Sequence, residues 1–81
     1  MMNYNIKQAN LNIQPGERVL ILRKAEYHEK GWENGWTPLM NQYIDSIGII
    51  ENDVESFGIR VKHPNGDSWS YPYFVLAFID R

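Results

Sequence analysis

Cysteine is absent from the chain, which excludes disulfide staples and thiolate zinc sites. No apolar run is long enough to cross a bilayer. The start, MMNYNIKQANLNIQ, lacks the charged and then apolar layout of a secretory signal. A basic excess is missing as well. Lys and Arg number 8 against 10 acids, a net charge of −2, whereas non-specific nucleic-acid binding rests on a basic surface. Internal repeats and low-complexity segments are also lacking. These absences lead us to expect a soluble, cytoplasmic chain with no membrane partner and no metal or cofactor.

What is present is aromatic. The 81 residues suit one domain with a single core, and 43% of them are hydrophobic, too many for a disordered tail. Three Trp, five Tyr and three Phe can stabilise so small a core without staples. Turn signals recur at short intervals: Pro15-Gly16, Gly31 to Gly35, Asn52-Asp53 and Pro64-Asn65-Gly66. Short runs of Val, Ile and aromatics lie between them, which predicts an all-β barrel or roll of about five strands.

The first strand is predicted over Glu17–Lys24, with Val19 and Ile21 on one face and Leu20 and Leu22 on the other. Both faces are apolar, so both need cover. Tyr4, Ile6, Leu11 and Ile13 of the N-terminal extension, residues 1–16, are the natural cover, docked as an extra strand on a barrel domain of residues 17–81. Thr37 before Pro38 reads as a helix start, and PLMNQY as a short helical turn. Trp36 is then an inward plug beside Met40. SIGIIE is the second strand, with Ile47 and Ile49 on one face and Gly48 and Ile50 on the other. The acidic stretch ENDVES connects it to FGIRVKH, where Phe57, Ile59 and Val61 point in and Arg60 and Lys62 point out. HPNGD is a tight turn in which Gly66 takes positive φ. SWSYPY returns with Trp69 and Tyr71 on one face, Pro72 ends that strand, and FVLAFID closes the barrel against the first.

This pattern resembles an SH3-like barrel, and YPYFV, residues 71–75, is similar to the single helical turn before the last strand of such barrels. Trp36, Met40, Tyr43-Ile44, Gly48, Trp69 and Pro72 resemble a pattern in small barrel proteins of bacteria and their viruses, and loosely the repeat domain of the Mind-bomb ubiquitin ligases. The resemblance spans roughly residues 17–79 and implies a binding module. The first connection lacks the acidic-aromatic motif that lines the polyproline groove of true SH3 domains. Asp45 stands where the pattern often has glycine, a position Asp tolerates because it visits left-handed backbone readily.

Residues for chemistry are sparse. His28-Glu29 is the one His-acid neighbour pair, on a loop; His63 sits at a turn and reads as a surface residue; Ser68 and Ser70 follow Asp67 without the strand-turn-helix elbow a nucleophile needs. We therefore expect no enzyme and no catalytic residue. Trp32, isolated between Gly31 and Glu33, has the weakest claim to the core of the three tryptophans. The expected partner surface comprises Tyr27, Trp32, Glu33, Arg60, Lys62 and Tyr73, for a protein partner or a second copy of the chain in a homodimer. The alternative is single-stranded nucleic acid, held by Arg23, Lys24, Lys30, Arg60 and Lys62 with Tyr27 and Trp32 as stacking platforms.

Overall fold

Alternating Val, Ile and aromatic residues favour extended backbone, and the computed structural model describes residues 4–55 and 58–81 of the chain. Its five strands are β1 (Arg18–Ile21), β2 (Ile47–Glu55), β3 (Gly58–Lys62), β4 (Ser68–Tyr71) and β5 (Leu76–Phe78). They form one antiparallel sheet in the order β4-β3-β2-β1-β5. A helix, α1 (Tyr4–Asn10), precedes them, and 3-10 turns occupy Glu29–Gly31, Pro38–Tyr43 and Tyr73–Val75. The small all-β domain expected from the sequence is therefore present. No helix among the described residues is long and apolar enough to cross a membrane.

The strands divide their faces as the alternation predicts, and Ile59 and Val61 point in as expected. Val19, Ile21, Ile50, Ile59, Val61 and Tyr71 are buried. The β3–β4 turn closes through His63 N–H to the Asp67 carbonyl (2.8 Å) and Gly66 N–H to the His63 carbonyl (2.9 Å), with Gly66 at φ 96. Asp45 adopts φ 70, the left-handed backbone foreseen for it. Gly48 lets β2 approach β3 closely: a Cβ there would overlap Val61 Cγ1 and stand 3.0 Å from the Lys62 carbonyl oxygen.

Three expectations need correction. The N-terminal segment over Tyr4–Asn10 is a helix, not an extra strand, and it does not cover the second face of β1, where Leu22 stays exposed. Instead Tyr4 packs on the rings of Tyr73 and Phe74 (5.0 and 6.4 Å), and its hydroxyl accepts the Tyr73 N–H at 3.2 Å. Second, ENDVES is not simply a connection: β2 continues through Glu55, its register shifting between Ile50 and Val54. A bulge of this kind lets a strand bend while its ladder continues. The inward placement of Phe57 lies outside the described residues.

The third correction concerns the tryptophans. Trp32 is fully buried, whereas Trp36 and Trp69 are half-buried and packed against the core from its rim. Gly31, at φ 85, turns the chain so that the Trp32 ring points inward despite its polar neighbours. Gly31 itself packs so near Tyr4 that a Cβ would lie 3.4 Å from the tyrosine's own. Met40 is buried as expected. Trp32→Ala should therefore destabilise the fold by about 3–5 kcal/mol, the usual cost of deleting a core aromatic. Urea unfolding followed by circular dichroism measures it; an unchanged midpoint would return Trp32 to the surface.

Candidate functional site

The first connection, between β1 and β2, starts from a chain reversal that the sequence makes costly. His28 and Lys30 both adopt left-handed backbone, at φ 61 and 51. Each such non-glycine residue costs roughly 1–3 kcal/mol and persists only when its surroundings hold it. Glu29 is the brace. Its carboxylate accepts from the Arg23 guanidinium at 3.1 and 2.7 Å and from the Glu26 N–H at 3.0 Å. The Arg23 hydrogen bonds, seconded by that backbone N–H, hold its pKa down at about 2. Backbone bonds from Gly31 N–H to His28 and from Trp32 N–H to Glu29 carry the reversal into the buried indole.

The braced reversal displays Tyr27. The residue is 69% exposed, and its ring lies 3.9 Å from that of His28, at an interplanar angle of 47°. Glu29 turns to Arg23 rather than to His28. Beside the loop, Arg23 and Lys30 both stand over the Phe74 ring, at 5.5 and 5.3 Å. Phe74 in turn meets Tyr73 edge-on at 5.4 Å. One aromatic cluster thus joins the first connection, the last 3-10 turn and α1.

The far end of the connection is fixed by a polar cluster. Tyr43 lies flat on His63, with centroids 3.7 Å apart. Its hydroxyl donates to Asp67 and accepts from Asn65 Nδ2 at 2.8 Å. The Asp67 hydrogen bond raises the phenol's pKa, while Asn65 and the neighbouring Trp69 indole oppose it. The Trp69 N–H is close enough to be felt but does not complete a hydrogen bond. His63, expected on the surface, is only 2% exposed, sealed by Tyr43 on its face and Tyr71 at its edge. His63 Nε2 and the Tyr71 hydroxyl are 2.8 Å apart. Burial raises the Tyr71 pKa and lowers that of His63, so both groups are neutral at pH 7.

The six residues expected to form the partner surface do not converge. Tyr27 and Glu33 are exposed on the first connection, Trp32 is inside, and Tyr73 is half-buried against Tyr4. Arg60 and Lys62 lie on the outer face of β3, where Arg60 meets Glu51 at 3.5 Å. Among the described residues, no hydrogen bond, ion pair or ring contact joins Arg60 or Lys62 to Tyr27 or Tyr73. Sequence reasoning missed Phe74 and the brace on Glu29. An Arg and a Glu six residues apart in an irregular loop leave no periodic signal. Between Asn34-Gly35 and Trp69 there is a groove of about 280 Å³, with Arg60 at one side. No three His, Asp or Glu side chains among the described residues gather to hold a metal. Comparison with protein-family models, curated proteins and solved structures finds no match.

The buried histidine sets a pH dependence. Desolvation puts its folded pKa below the ordinary 6.5, partly countered by Asp67. As pH falls, the unfolded chain binds its proton first, so stability is full above 6.5 and is lost on the way down through the folded pKa. Urea midpoints should begin to fall below that value in the wild type and should fall less in His63→Gln. Parallel pH profiles for the two proteins would contradict the buried neutral ring.

Proposed function

We propose that the chain is a non-enzymatic binding module of SH3-like barrel architecture that recognises a protein partner through its first connection, with Tyr27 as the anchor. The observation that carries this reading is the exposed Tyr27 ring on a strained reversal braced by Glu29 and rooted by Trp32. Interface anchors are commonly Tyr, Trp and Arg, and a loop already ordered loses less entropy on docking. A large apolar ring held out in water on a costly backbone is poor economy for stability alone.

The barrel assignment draws support from the strand order, in which β1 to β4 follow one another and β5 returns to pair with β1. A single 3-10 turn at Tyr73–Val75 before β5 fits the same architecture. The first connection lacks the acidic-aromatic motif that SH3-type polyproline recognition uses, which argues against such a segment as the partner. Single-stranded nucleic acid fits less well. Arg23 and Arg60 are engaged by Glu29 and Glu51, and Trp32, one of the two stacking platforms, lies inside.

Tyr27→Ala should leave the unfolding free energy within about 0.5 kcal/mol of the wild type, as surface changes usually do. It should nevertheless abolish retention of a partner from cell lysate on the immobilised protein. Glu29→Gln, which keeps Tyr27 but loosens its brace, should weaken the same retention. If Tyr27→Ala retains the same proteins as the wild type, the anchor lies elsewhere.

A further inference from the structure

The outer face of β2 holds a second surface, separate from the first connection. Ile47 and Ile49 project from it at 47% and 51% exposure. They form the floor of a groove of about 560 Å³ bounded by Arg18, Glu51, Lys62 and Pro64. Isolated exposed apolar residues are ordinary, but two alternate isoleucines on the same face of the central strand of a sheet, beside half-buried Leu20, form a patch. Its charges are arranged about Ile49. Arg18 lies directly across on β1 and Lys62 directly across on β3, while Ile47 and Glu51 are the outward neighbours along β2. Arg18 is engaged by Asp80 at 2.8 Å and Glu51 by Arg60 at 3.5 Å. Lys62 has no ion-pair partner among the described residues.

From this arrangement we infer that the outer face of β2 is a docking surface for a second copy of the same chain. Strands are about 4.8 Å apart and alternate residues on one strand about 6.6 Å apart, so the four neighbours form a near-square around Ile49. A two-fold axis parallel to the sheet, passing over Ile49 midway between the β2 direction and its perpendicular and so between Lys62 and Glu51, exchanges Lys62 with Glu51 and Arg18 with Ile47. Two copies related by it stack with their strands crossed, one of the two usual sheet packings. Ile49 then meets Ile49, Lys62 meets Glu51 of the second copy twice over, and Ile47 lies along the aliphatic stem of Arg18. An isologous interface needs this reciprocity. A two-fold axis along β2 would instead set Lys62 against Arg18, and an axis perpendicular to β2 would set it against Lys62. A crossed axis at right angles to the first would set Arg18 against Glu51 and Lys62 against Ile47, but Arg18 is already engaged by Asp80, so the charges favour the arrangement that pairs Lys62 with Glu51. With a net charge of only −2, long-range repulsion between copies is weak.

Sedimentation velocity across about 10 µM to 1 mM, spanning the range for a small and partly polar interface, should show a monomer–dimer equilibrium. Ile49→Ser should give monomer throughout while keeping the wild-type circular dichroism and melting temperature, because the side chain is half exposed. Lys62→Glu and Glu51→Lys should each weaken the dimer tenfold or more, and the double variant should regain most of the loss. A monomer at every concentration would overturn the inference. So would a dimer that survives Ile49→Ser, which would place contact at a sheet edge or the first connection. If both single changes weaken the dimer and the double variant restores nothing, the crossed two-fold arrangement is wrong. Tyr27→Ala should leave the equilibrium unchanged, which separates this surface from the proposed partner loop.

Discussion

Burial of the Trp32 indole is the interaction on which the rest of this structure depends. An aromatic of this class removes about 150–250 Å² from water, worth roughly 4–6 kcal/mol at the usual coefficient. A domain of 81 residues is stable by only about 4–12 kcal/mol in total. One ring therefore carries a share comparable with the whole net stability. Its neighbours make room for it. Gly31 turns the chain through positive φ, and Gly58 lies alongside the indole. An otherwise polar connection is thereby tied to the core, and Tyr4 of α1 comes to rest against it.

From that tie follows the character of the loop. A long polar segment fixed only at its ends would sample many shapes, whereas this one is fixed at three places: Glu29 through Arg23, Trp32 through the core, and Tyr43 through His63 and Asp67. The left-handed backbone at His28 and Lys30 opposes this order, and the burial of Trp32 together with the Glu29 brace offsets it. What the strain achieves is a defined pose for Tyr27. The outer face of β2 has no such device; its shape comes from the sheet itself, and its selectivity from the placement of Lys62 and Glu51 around Ile49.

Much of the sheet was legible because strand periodicity is a local signal. Val19 with Ile21, and Ile59 with Val61, announce their faces by alternation, while Pro64-Asn65-Gly66 announces its turn through backbone preference. Trp32 was not legible in this way, because a buried position in an irregular loop depends on contacts with residues far away in sequence. Tyr4 and Gly31 meet only in the folded chain. His63 misled in the same manner: a turn predicts exposure, and only the distant Tyr43 and Tyr71 seal the ring. The N-terminal segment carries apolar residues at both helical and strand spacings, and packing against Tyr73 and Phe74 accompanies the helix it adopts. Of the candidate site, Tyr27 was named for the partner surface and is exposed, whereas the brace beneath it left no signal in the sequence.

Hydrogen exchange at the three indole nitrogens tests the central claim most directly. In a uniformly ¹⁵N-labelled protein the side-chain N–H signals of Trp32, Trp36 and Trp69 are resolved separately. The Trp32 proton should outlast that of half-buried Trp36 by orders of magnitude, its loss tracking global unfolding as urea is raised. Loss of the Trp32 signal as fast as a free indole would mean that the ring stands in water, and the braced loop would lose its root.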